Sequence, residues 1–212
     1  MSRLRANFRL SDITPIGGPT VSRHRLASAL LATAVGGIAA ACSLESGVPA
    51  SPLQAQAIEA DARTAGQSDI AALRRSLAPY HRLEVARESD WPTAITPCWY
   101  HGELGAMGYH YANPERIDLV LDPLRPEALI YEPLAGGKYK LVGAEFIVPI
   151  AAWTGTKPPE LYGQAFSRVE DLGLYALHVW AESENPAGMF ASWNPKVSCK
   201  YAAESVDRGL AH

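Results

Sequence analysis

From residue 68 onward the apolar positions follow a helical period. Ile70, Leu73, Leu77 and Val85 share one face with His81, and Ser68 and Asp69 stand before them as N-cap residue types. Pro79 interrupts the stripe, so the pattern predicts a kink there, or one helix ending and another beginning. His81 falls among apolar neighbours. It reads first as a core histidine hydrogen-bonded to backbone, and second as a metal ligand or a donor behind one. Beyond Trp91-Pro92 the period changes from helical to strand-like, with short runs at 107–112, 128–132, 141–148 and 175–181 separated by Pro and Gly. Gly136-Gly137, between the second and third runs, predicts an antiparallel hairpin. The 141–148 run is apolar on both faces except at Glu145, the pattern of a central strand covered on both sides. Six Pro-containing pairs, such as Asn113-Pro114, Asn185-Pro186 and Asn194-Pro195, mark rigid turns. The expected fold class is α+β: an N-terminal helix packed on a mainly antiparallel β-sheet with long ordered loops.

The first 67 residues follow a different pattern. Arg23, His24 and Arg25 precede an apolar run over 26–41 broken only by small residues, which is the arrangement of a secretory signal and is short for a transmembrane helix. Ala39-Ala40-Ala41 suits a signal peptidase. The same stretch is similar to a lipoprotein cleavage box in which Cys42 becomes the lipidated first residue, although Ala39 stands where that box usually has a larger aliphatic. Residues 42–67, rich in Ser, Pro, Ala, Gly and Gln, bury too little to offset their ordering entropy and read as a flexible spacer. The expected organisation is a signal peptide over 1–41, the spacer, one globular domain over 68–204 and a short tail over 205–212. Localisation follows as periplasm or cell surface, with membrane attachment through an N-terminal lipid if Cys42 is modified. Nothing after the leader is apolar for long enough to span a bilayer.

Charge sharpens this reading. The chain carries a net −3, but residues 1–41 contribute +4, leaving the body at −7. An acidic body lacks the basic footprint of a nucleic-acid binder. With Cys42 removed or lipidated, Cys98 and Cys199 remain as an even pair in an oxidising compartment, and a disulfide between them is expected. Free thiols or metal-binding thiolates are the alternatives, though single cysteines so far apart lack the local spacing of a zinc site.

Three titratable residues sit mid-strand in three different runs: His110, Glu145 and His178. Side chains alternate along strands, so same-face positions on neighbouring strands can converge. A carboxylate in so apolar a strand needs a cation, a metal or hydrogen-bond partners. Two imidazoles and one carboxylate form a known donor set for Zn or non-haem Fe, with positions left open. A buried polar network without metal, with Glu145 paired to a histidine or to an arginine such as Arg125, explains the same residues. Strict alternation puts Leu141, Gly143 and Ile147 on the face of Glu145. Tyr109, Tyr111, Glu132 and Trp180 are further candidates for lining a pocket. No Gly-x-Ser-x-Gly elbow and no phosphate-binding Gly-rich loop is present in the sequence.

Read together, Met107-Gly-Tyr-His-Tyr-Ala-Asn-Pro, Leu129-Ile-Tyr-Glu-Pro, Leu177-His-Val-Trp and the Asn185-Pro-Ala-Gly-Met-Phe to Trp193-Asn-Pro to Ser198-Cys199 block resemble a group of uncharacterised exported bacterial proteins. The resemblance covers roughly 81–199 and implies export and a single domain. It implies no activity, ligand or catalytic residue. Two functions are compatible with the residues. One is an exported, disulfide-stapled binding or scaffold domain for an unidentified ligand. The other is a metal-binding protein or metal-dependent enzyme using a divalent metal (Zn or Fe) at His110, Glu145 and His178, with His81 as a fourth ligand. Whether the chain is an enzyme stays open at this point. The two part on geometry, because the metal reading fails if His110 and His178 lie on opposite faces of the sheet.

Overall fold

The computed structural model describes residues 66–209; the expected signal peptide, the spacer up to residue 65, Cys42 and the last three residues lie outside them. The chain enters through helix α1 (66–77), which buries Ile70, Leu73 and Leu77, as the periodicity predicts. Pro79 then opens a 3-10 turn at Ala78–His81, and a short helix α2 follows at Leu83–Arg87. The turn resets the helical phase. Leu83 and Ala86 become the buried positions of α2, while His81 turns outward, its side chain 56% exposed beside Glu182.

The rest of the chain builds an α+β fold on one large, curled, mainly antiparallel sheet. Its strands are β1 (Thr93–Ala94), β2 (Cys98–His101), β3 (Gly105–Ala112), β4 (Ala128–Leu134), β5 (Lys138–Pro149), a small separate hairpin β6 (Glu160–Leu161) and β7 (Gln164–Ala165), then β8 (Ser167–Val169), β9 (Leu174–Val179) and β10 (Ser205–Asp207). The spatial order is β10-β2-β3-β4-β5-β9-β8, with β1 also paired to β3. Strand β5 is central, buried from Leu141 to Val148, and the β4–β5 hairpin turns through Gly136 and Gly137, both at positive φ. Residues 205–207, expected in the C-terminal tail, form β10 in parallel register with β2. Backbone pairing with an edge strand is sequence-tolerant and leaves no apolar alternation to read.

The two faces of the sheet bury different chemistry. One face packs Tyr109, Tyr111, Leu129, Tyr131, Ala144, Phe146, Leu177 and Val179 against α1, α2 and Trp91. The other carries Ile130, Val142 and Trp180 in one cluster, and Ala112, Ala128, Ile147 and Leu174 in another. A register shift between Ile130 and Tyr131 corrects the strict alternation expected along β5. Gly143 pairs with Ile130 but Leu141 with Tyr131, so Val142 is the extra residue. Leu141 therefore joins the helix-side core and Val142 takes the opposite side. A disulfide joins Cys98 on β2 to Cys199, with Cα atoms 5.7 Å apart and a sequence separation of 101. In the chain-entropy model such a closure stabilises by about 4–5 kcal/mol. No helix among the described residues is long and apolar enough to cross a membrane.

Candidate metal centre

His110, Glu145 and His178 come from β3, β5 and β9 and converge on the face opposite α1. Register explains the meeting. Glu145 lies directly across from His178, and across from Ala128 on the other side. His110 pairs with Ile130, one same-face step from Ala128, so its longer side chain reaches over the small Ala112 and Ala128 to the pair. Gly143 lets β9 close in beside them, since a Cβ there would come within 2.5 Å of the Val179 carbonyl oxygen.

Among the described residues this is the one group of three or more His, Cys, Asp or Glu side chains whose ligand atoms share a small volume, all within 4.8 Å of one another. His110 Nε2 and His178 Nε2 are 3.2 Å apart. Each carboxylate oxygen of Glu145 faces one imidazole: Oε2 lies 3.5 Å from His110 Nε2, and Oε1 lies 3.5 Å from His178 Nε2. Bonds of about 2.0–2.2 Å to a tetrahedral ion put neighbouring ligand atoms about 3.3–3.6 Å apart. A hydrogen bond between an imidazole N–H and a carboxyl oxygen spans about 2.7–3.2 Å. The two imidazole nitrogens are within hydrogen-bond reach of each other, whereas both Glu145 contacts exceed it and fall near the spacing around an ion.

Protonation favours the same use. His110 and His178 are buried, and burial holds His178 at about 4 and His110 well below its ordinary value, with the His178 charge adding to the effect on His110. Both imidazoles are neutral at pH 7, the state that offers a lone pair to a cation. Thr96 Oγ1 sits 3.0 Å from His110 Nδ1 and also accepts from the His110 backbone N–H at 3.4 Å. With Nδ1 as the donor to that hydroxyl, Nε2 presents its lone pair to Glu145 and His178. Burial pushes Glu145 up to about 8, and the neighbouring Glu127 charge adds to it. A dication replacing that proton would return the carboxylate to its charged form.

Glu127 was not visible as a site residue. It lies 2% exposed, just before β4, and accepts the Ile147 backbone N–H at 2.9 Å, so the carboxylate extends the ladder where the strand stops. Burial raises it to about 7, partly opposed by that N–H and by Arg116. Its position between Pro126 and the strand carries no periodicity that could have singled it out.

A cavity of about 200 Å³ opens onto the cluster, with Glu145 and His178 in its wall beside Thr96, Trp99, Ile147, Trp193 and Arg208. The other sequence candidates lie elsewhere. His81 stays on the surface with Glu182 and is not brought to the cluster, because the Pro79 turn rotates it away from the sheet. Tyr109 and Tyr111 belong to the helix-side core, the odd-numbered partners of His110 on β3. Glu132 sits toward the hairpin end of β4, accepting from the Ser198 backbone N–H at 3.0 Å. Trp180 is buried behind the site, its ring stacked on His178 at 6.0 Å and its Nε1 bonded to the Ala191 carbonyl. Arg125 pairs with Asp90 rather than with Glu145.

Comparison of the chain with protein-family models, with curated proteins and with solved structures finds no match.

Proposed function

We propose that this protein binds one divalent transition metal through His110, Glu145 and His178 and uses it on a small molecule admitted through the adjoining cavity. The observation that carries the reading is the convergence of the donor atoms: the imidazole nitrogens lie 3.2 Å apart, and each Glu145 oxygen stands 3.5 Å from one of them, wider than a hydrogen bond and near the spacing of ligand atoms around a tetrahedral ion. Three protein donors leave at least one position for water or substrate, and a cavity reaches the donors from outside. A donor set of two imidazoles and one carboxylate suits Zn and non-haem Fe. Such an ion would lower the pKa of bound water or bind dioxygen, so a metal-dependent hydrolase or oxygenase is the enzymatic form of the proposal. The chain's own contributions are orientation of His110 by Thr96, exclusion of bulk water by the buried strands, and a carboxylate that changes charge with the metal. The Cys98–Cys199 bridge supports an oxidising compartment and hence the exported location.

Elemental analysis of protein purified without chelator tests this. One zinc or iron per chain is the expected result, retained through dialysis. A metal-free protein that also takes up neither ion on titration would return the site to a buried polar network, and the molecule to a binding or scaffold domain.

A further inference from the structure

Arg208 lines the same cavity as Glu145 and His178 and is the one arginine or lysine in its wall. It is held in place from several directions. Its backbone N–H donates to the Tyr100 carbonyl at 2.8 Å, which extends the β10–β2 pairing. Its guanidinium lies over the Trp99 ring, 4.7 Å from the centroid, and Trp99 in turn packs beside His110 at 6.0 Å. One terminal nitrogen donates to Asp171 Oδ2, from the 3-10 turn between β8 and β9. The side chain keeps 28% of its surface exposed. A guanidinium stacked on an aromatic wall and anchored at one nitrogen still has further N–H donors in a fixed fork, the arrangement that recognises planar or tetrahedral oxyanions.

We infer that Arg208 is the specificity residue for the substrate of this site, and that the substrate is a small oxyanion, a carboxylate or a phosphate. Its charged group engages Arg208 while the rest of the molecule reaches toward His110, Glu145 and His178. The proposal rests on the metal reading above. Trp99 and Trp193 supply apolar wall, and a cavity of about 200 Å³ admits a ring-sized acid rather than a polymer. Asp171 has a defined part in this arrangement. It neutralises Arg208 in the free protein and competes with the incoming anion for the same fork.

That competition makes the test directional. Zinc-loaded protein is titrated calorimetrically with benzoate, with inorganic phosphate and with uncharged benzamide, after the zinc content of every sample has been measured. Wild type binds benzoate or phosphate, which tells carboxylate from phosphate, and binds benzamide at least about tenfold more weakly than the preferred anion. Arg208→Gln weakens that anion at least about tenfold at unchanged zinc content. Asp171→Asn tightens it by about two- to fivefold, because the competing carboxylate is gone. If the pair is only a structural latch, both variants weaken binding alike, and the inference is overturned. Equal binding of the anion by wild type and Arg208→Gln overturns it too, as does binding of neither anion at full zinc occupancy. Failure of wild type to take up zinc is separately visible and strikes the metal reading itself.

Discussion

The two faces of the sheet solve the same problem, burying polar groups among apolar ones, in opposite ways. On the helix face the polar atoms are the hydroxyl tips of tyrosines, and those of Tyr131 and Tyr109 reach away to backbone. Tyr131 OH donates to the Tyr80 carbonyl, and Tyr109 OH donates to the Glu204 carbonyl while accepting the Glu204 N–H. Their rings meet edge to face, with Tyr111 and Tyr131 centroids 5.6 Å apart. On the other face the polar atoms of His110, Glu145 and His178 point at one another, and small residues at 112, 128 and 143 keep space around them. A group that finds its own backbone partner contributes to stability. Here the two imidazoles meet at 3.2 Å while Glu145 stands 3.5 Å from each, so its carboxyl has no side-chain partner at hydrogen-bond distance.

That contrast can be broken in several ways. The largest effect is expected on the helix face. Phe146→Ala should lower unfolding free energy by about 3–5 kcal/mol in denaturant titration, with zinc stoichiometry unchanged in the protein that remains folded. Next is His178→Ala, which should weaken zinc at least about a hundredfold, taking the upper range for indirect partners of a metal as the floor for a direct one. In the chelator-treated protein it should cost about 1–3 kcal/mol, for the cavity beside Trp180 and the partner lost to His110. If both substitutions moved stability and zinc together, the faces would not be separable.

The third expectation concerns pH. Glu145 and Glu127 are raised to about 8 and about 7 from about 4.5, so the folded, metal-free protein holds protons that the unfolded chain has released. Their contribution to stability is complete below about pH 4.5 and is lost as pH rises through 7 and 8. The lowered histidines act with the opposite sign, but only below about 6.5, so the window from pH 6.5 to 8 isolates the carboxylates. Chelated protein should lose about 2 kcal/mol across that window. Glu127→Gln should remove about 1 kcal/mol of the decline, and saturating zinc should remove the share of Glu145. A flat profile in chelated wild type would contradict this. The smallest effect is at Thr96→Val, which takes the hydroxyl from His110 Nδ1 and should weaken zinc by about tenfold and cost about 1 kcal/mol of stability, because a buried donor loses its partner.

Much of the architecture was legible in the chain because it depends on short-range pattern. The stripe Ile70, Leu73 and Leu77, the break at Pro79, the Gly136-Gly137 hairpin and the doubly covered run around Glu145 each follow from spacing or from local backbone preference. The pairing of Cys98 with Cys199 followed from there being two cysteines left once the leader is set aside. His110, Glu145 and His178 stood out for the same reason: polar residues in apolar strands contradict their surroundings. His81 misled because the helical phase was carried through the proline, where a 3-10 turn shifts it.

What sequence alone determined, then, were the elements and the identity of three residues that burial makes costly. Whether those three meet is a question of register between strands 33 and 35 positions apart, and a slip of one residue would send a histidine to the helix face. Only the assembled sheet decides that, through the bulge at Val142 and the close approach of β9 at Gly143. Glu127, Thr96 and Arg208 entered the picture for the same physical reason. Each sits at the end of a strand or in a turn, where no periodicity marks it, and its role exists only because another part of the chain has been folded against it.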